Sequence, residues 1–240
     1  MTKSKAGRMA KEMVGNEALR PGAATGIRER QEAMILYDKV SFTPGGQRVL
    51  EDFRLEVRRG EKVLVYGKSG VGKSTLLRML LGFVLPSSGC VYFEGRRIDP
   101  GSVWEARRRI AYVSQDLDLS RGKAGDFVAG VFALRANRGR AHMDEDFAAA
   151  MEWLELDRGI LDKGMTDLSG GERQRLALAL ALSLGRDVFL LDEVTSAVDP
   201  RMKERIARRF ASMESATVLA VSHDVTWLKV GGMRVVRLGD

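Results

Sequence analysis

The chain has 240 residues, with 39 Lys and Arg against 32 Asp and Glu, a net charge of +7. Hydrophobic residues make up 45% and charged residues 30%, which excludes a disordered, collagen-like or coiled-coil chain. The longest apolar run, residues 176–184, is far short of the about 20 residues that a spanning helix needs, and the lone Cys90 excludes an intramolecular disulfide and argues against a cysteine zinc site.

Residues 1–33 carry scattered glycines, Pro21 and no sustained apolar period. They read as a flexible basic N-terminal arm, either a plain tail or a docking segment for a partner or an anionic surface. No apolar stretch follows the basic start, so a signal peptide is not expected. From Met34 the pattern is α/β. Short apolar runs predict strands at 35–40, 62–66, 91–93, 110–113, 188–191, 217–221 and 234–238. Helical spacing appears at 76–81, in Phe147, Met151 and Leu154, in 176–182, and in Met202, Ile206, Phe210 and Met213. Alternating strands and helices imply a largely parallel sheet covered on both faces.

Three stretches carry chemistry. The first, Gly67-Lys68-Ser69-Gly70-Val71-Gly72-Lys73-Ser74, lies between an apolar strand and a helical run. Glycines there let successive backbone N–H groups converge on phosphate oxygens, with the helix N-terminus adding positive charge. In this motif the lysine reaches the β- and γ-phosphates and the following hydroxyl ligates Mg²⁺. Gly67, Ser69, Gly70, Gly72, Lys73, Ser74 and Thr75 are therefore the candidate nucleotide-binding residues. The second stretch is Asp192-Glu193 at the end of a buried strand. Ligands bind at that edge of a parallel sheet. Adjacent strand residues point to opposite faces, so Asp192 suits the Mg²⁺ shell and Glu193 suits polarising a water. The third, Leu168-Ser169-Gly170-Gly171-Glu172-Arg173-Gln174-Arg175, opens a strongly helical run, a second anion-binding shape.

The third stretch resembles the signature motif of the ATP-binding cassette (ABC) family. Other elements of that family's pattern follow in order: Gln115 at the Q-loop position, Ser196-Ala197-Val198-Asp199 at the D-loop, and His223 at the switch histidine. The resemblance spans about residues 34–240. It implies a P-loop NTPase core with a parallel sheet, an N-terminal antiparallel β subdomain and an inserted helical subdomain at about 116–167. It also implies a Mg²⁺-dependent ATPase in which two cassettes, a homodimer or pseudo-dimer, enclose two ATP molecules. Ser169, Gly170 and Gly171 of one cassette would contact the ATP held by Lys73 of the other, and Asp199 would communicate across the dimer. Glu193, His223 and Gln115 are the implied catalytic residues, and Ser74, Gln115 and Asp192 the implied metal shell. The implied partner is a separate transmembrane permease, with the chain peripheral on the cytoplasmic face of the membrane.

A soluble ABC ATPase working in cluster assembly or on nucleic acid is the alternative. The spread of the excess charge and the lack of a nucleic-acid module lead to no expectation of nucleic acid binding. Two departures from the family pattern stand out. Pro44 occupies the position of the adenine-stacking aromatic, with Phe42 as a replacement two residues earlier. Val194 follows the catalytic glutamate, leaving the direction of transport open. Phe127, Val128, Val131 and Phe132 form an apolar stripe, either a docking surface or core packing. His142 reads as exposed, Trp104, Trp153 and Trp227 as core or half-buried residues, and Arg107–Arg109 as a solvated helix end.

Overall fold

The computed structural model describes residues 33–115, 122–138, 140 and 142–239. The arm expected over 1–33 lies outside these residues except Ala33, and so do residues 116–121 of the expected helical subdomain.

Two sheets form the frame. Strands β1 (Ala33–Phe42), β2 (Leu50–Arg58), β4 (Ser88–Phe93) and β5 (Arg96–Arg97) make an antiparallel sheet of order β2-β1-β4-β5. Strands β3 (Lys62–Tyr66), β6 (Ile110–Val113), β7 (Val188–Asp192), β8 (Thr217–Ser222) and β9 (Arg234–Arg237) make a parallel sheet of order β6-β7-β8-β3-β9.

The period of two along the parallel strands sorts their side chains into two cores. Val63, Val65, Val188, Leu190, Leu219 and Val221 face helix α1 (Lys73–Leu80) and the antiparallel sheet. The Tyr37 hydroxyl donates to the Leu76 carbonyl at 2.8 Å, tying β1 to α1, and burial pushes that phenol's pKa up. Leu64, Phe189, Leu191, Val218 and Ala220 face the other way. They meet helices α3 (Ala124–Ala133), α4 (Met143–Trp153), α5 (Gly170–Ser183), α6 (Pro200–Ala211) and α7 (Val225–Val230). Helix α2 (Val103–Arg109) precedes β6.

Helices α3 and α4 occupy the stretch between β6 and α5 and meet through Phe132 and Phe147, edge to face at 5.8 Å. The apolar stripe of α3 turns inward: Val128 is buried, and Phe127, Val131 and Phe132 pack half-buried against the same core. Two readings are corrected. Trp104 is 58% exposed. Arg107 is half-buried rather than fully solvated: its Nε and Nη2 donate to the Leu81 carbonyl at 2.9 and 2.7 Å, and it stacks on Phe83 and Trp104. Arg109 likewise pairs with Glu94 and Asp187. No helix among the described residues is long and apolar enough to cross a membrane.

The Phe189 and Phe210 rings meet edge to face at 5.4 Å, joining β7 to α6. Phe210 is fully buried. Phe210→Ala should therefore lower unfolding stability by about 3–5 kcal/mol, measured as a shift of the urea midpoint at constant slope.

Candidate active site

The site is assembled where β3, β7 and β8, neighbours in the parallel sheet, end side by side. After β3 the chain turns through residues 67–72 into α1, whose N-cap Gly72 adopts φ +98 with no side-chain cap. A Cβ on Gly72 would lie 2.9 Å from Val49 Cγ1, so this turn needs glycine both for its backbone and for the close approach of the β1–β2 connection. The first-turn N–H groups of α1 are thus left free of side-chain capping, the donor arrangement that suits a polyphosphate.

Lys73 is only 5% exposed. Its ammonium donates to the carbonyls of Gly67 and Lys68 at 2.9 and 2.8 Å and lies 3.2 Å from Glu193 Oε1. Ser74 Oγ donates to Asp192 Oδ1 at 2.6 Å, and the Tyr112 hydroxyl donates to Asp192 Oδ2 at 3.2 Å. Burial pushes the Asp192 carboxyl up from its ordinary pKa, opposed by these two hydrogen bonds. Ser74 with Asp192 fits Mg²⁺, which usually takes one or two protein oxygens and completes its shell with water and phosphate. Among the described residues no group of three or more acidic, His or Cys side chains is arranged to hold a metal ion by itself.

Glu193 leaves the strand with φ +50, a left-handed conformation that costs a non-glycine residue about 1–3 kcal/mol. The turn brings its carboxylate to Lys73 and His223. Oε2 accepts from Ser222 Oγ at 3.2 Å and from the His223 backbone N–H at 3.3 Å, and Oε1 lies 2.9 Å from His223 Nδ1. The His223 side chain remains 55% exposed at the mouth of the site.

Thus Lys73, Ser74, Asp192, Glu193 and His223 converge. Gln115 is exposed beyond the end of β6 and makes no hydrogen bond to them among the described residues. The signature residues also sit apart. Ser169 caps α5 with a reciprocal pair of bonds to Glu172. Gly170 and Gly171 press on the D-loop, where a Cβ on Gly171 would meet the Ala197 carbonyl at 2.8 Å. Asp199 is exposed and caps α6, accepting from the Met202 N–H at 3.0 Å, and this bond pulls its carboxyl pKa down. Phe42 is half-buried against the core beside α1 and pairs with Leu50 across β1 and β2, while Pro44 opens an exposed turn. Tyr112 and Ser222 were missed in the sequence. Tyr112 shares the face of Ile110 and faces Leu190 in the pairing of β6 with β7, the side to which Asp192 also points.

The family model described as ABC transporter matches residues 50–196. The chain belongs to the ABC transporter family. This cassette is 34% identical over 202 residues to the energy-coupling factor transporter ATP-binding protein EcfA1 of Geobacillus kaustophilus, covering 81% of this chain and 71% of that one. It is 30% identical over 199 residues to the probable iron export ATP-binding protein FetA of Escherichia coli, covering 82% and 87%. It covers only 36% of a longer relative, the ATP-dependent lipid A-core flippase of Ralstonia nicotianae, at 33% identity. Among solved structures it superposes on the dimeric ABC transporter cassette MJ0796 with a TM-score of 0.74 at 27% identity, covering 85% of this chain and 94% of that one. The α/β cassette fold, with its antiparallel and parallel sheets and its helices, is the one the motifs implied.

The cassette's capping box sets a pH dependence. The backbone N–H of Ser169, with its hydroxyl and Lys163 adding to it, pulls the Glu172 carboxyl from 4.5 down to about 2. A folded value below the unfolded one stabilises the fold fully above about pH 4.5, and that contribution is lost as the pH falls towards 2. Glu172→Gln should therefore be less stable than the parent near neutral pH. The gap in urea midpoint should close on acidification through that window.

Proposed function

We propose that the chain is the ATP-hydrolysing subunit of a transporter, pairing with a second cassette around two Mg²⁺-bound ATP molecules to drive a separate membrane permease. The observation that carries this reading is the convergence of Lys73, Ser74, Asp192, Glu193 and His223 at one sheet edge, while Ser169, Gly170 and Gly171 form the start of α5 outside that cluster. A second copy would bring its signature to the exposed mouth of this site. The solved relative MJ0796 is dimeric, and another structure of it holds ADP and Pi.

Phosphoryl transfer asks a protein mainly for positioning and charge stabilisation. Gly67, Ser69, Gly70, Gly72 and Thr75 belong to the cradle for the phosphates, and Lys73 would exchange its two carbonyl partners for β- and γ-phosphate oxygens. Ser74 and Asp192 would hold Mg²⁺, with Gln115 swinging in from the end of β6; when bound, the ion neutralises charge on the β- and γ-oxygens. Glu193 would accept a hydrogen bond from the attacking water and take its proton. Ser222 and the His223 N–H fix one carboxylate oxygen of Glu193, while the half-exposed imidazole is placed to stabilise the γ-phosphate. Asp199 and its D-loop, packed on the signature glycines, would report on the partner's site.

The permease contact would lie at the exposed Phe83, Leu85 and Trp104, with Arg107 stacked on Phe83 and Trp104. Among the described residues, Phe83, Leu85 and Trp104 are more exposed than the inward-facing stripe of α3. In this reading the chain would lie against the permease on the cytoplasmic face of the membrane. The permease would choose the transported solute and its direction, consistent with relatives whose names range from energy-coupling factor to iron export.

Glu193→Gln should retain ATP binding yet hydrolyse it about 10²-fold more slowly or worse, as for loss of a general base, and should elute as a dimer with ATP. Near-normal turnover, or a monomer at every protein concentration, would count against this assignment.

A further inference from the structure

The buried Gln174 is used by none of the chemistry above. It lies on the second turn of α5, five residues after Ser169, and is 2% exposed. A primary amide that deeply buried needs partners for its donors and acceptor. Its Nε2 donates to the Glu193 carbonyl at 3.1 Å and lies 3.4 Å from Ser196 Oγ, while its Oε1 accepts from the Ala197 N–H at 3.0 Å. Because a backbone N–H can only donate, the Ala197 contact fixes which end of the amide faces the D-loop. The donor end is then committed to Glu193.

Glu193 is held by its backbone as well as by its carboxylate. Its N–H donates to the Val221 carbonyl at 3.0 Å, and its carbonyl is held by Gln174. Between these anchors the residue adopts its left-handed φ of +50. A rotation at this position swings the carboxylate relative to Lys73 and His223. One rigid side chain therefore connects the helix that begins with the signature to the backbone of the general base and to the D-loop.

We infer that Gln174 is a positioning residue through which the signature helix, on receiving the ATP held by the partner cassette, sets the backbone of its own Glu193 and so couples the two hydrolytic sites. This rests on the two-cassette reading above. The phosphate loop that binds the chain's own ATP makes no contact with Gln174 in these hydrogen bonds, so binding and coupling should separate.

The test uses the full chain with Gln174→Met, which keeps length and loses the amide, and Gln174→Asn, which keeps the amide one methylene short. Thr195→Val serves as the control. It breaks a different buried bond in the same segment, Trp227 Nε1 to Thr195 Oγ1 at 3.0 Å. Melting temperature, ATP affinity, kcat and the Hill slope in ATP are measured for each. Both Gln174 variants should bind ATP as the parent does, lose on the order of tenfold in kcat through misplacement of the base, and drop to a Hill slope near one. Thr195→Val should melt lower with kcat and Hill slope retained. Parental kcat and Hill slope in the Gln174 variants would overturn the inference. So would a parallel fall of affinity, kcat and melting temperature, or failure of both variants to fold, since each assigns Gln174 to stability alone. A parent that hydrolyses ATP with a Hill slope of one would sink the two-cassette reading itself, a separate outcome.

Discussion

A lysine and a glutamate, each almost wholly withdrawn from water, meet at 3.2 Å where three strands of a parallel sheet end. Burying two charges costs several kcal/mol each unless every remaining donor and acceptor is answered. Here they are answered: Lys73 by two phosphate-loop carbonyls, Glu193 by Ser222 and His223. Lys73 with its loop, Glu193, and Ser222 with His223 come from three separate parts of the sequence. What brings them together is the order β7-β8-β3. Three adjacent parallel strands deliver Glu193, His223 and the phosphate loop to one edge, the place where open α/β sheets bind ligands.

The same strands separate tasks that the sequence places side by side. Along β7 the side chains alternate, and Asp192 continues the face of Val188 and Leu190 towards α1, where Ser74 and Tyr112 meet it. Glu193 would continue the opposite face, but its left-handed turn lifts the carboxylate out over the sheet edge towards Lys73 and His223. In the proposed function one carboxylate would serve a metal and its neighbour a water, each held by its own set of partners. The signature helix closes on this segment from behind, through Gly171 against Ala197 and Gln174 against Glu193.

The parts most legible in the sequence are those whose physics is local or uniform. Strands β3 and β6 have the predicted bounds because both faces are buried and the apolar run itself marks the strand. Strand β2 escaped notice because only one of its faces is covered, so that Leu55 and Val57 alternate with charged residues. The phosphate loop is contiguous and was readable whole. Tyr112, Ser222 and Gln174 were not, because their partners come from neighbouring strands and from a loop on the far side of α5. Arg107 reads as solvated in the sequence since its carbonyl partner, Leu81, belongs to a distant turn, and Trp104 reads as core or half-buried although it stands on the surface with that arginine against it.

The central claim of the proposed function is that one catalytic site is built from two chains. Lys73→Ala removes the phosphate-binding charge and leaves the signature intact; Ser169→Arg blocks the signature and leaves the phosphate loop intact. Each variant alone should be inactive. Mixed, they form dimers with one complete site, so ATP hydrolysis should reappear on mixing and rise with the fraction of mixed dimer. Activity in the Ser169→Arg protein alone, or no recovery in a mixture shown to contain mixed dimers, would contradict the composite site.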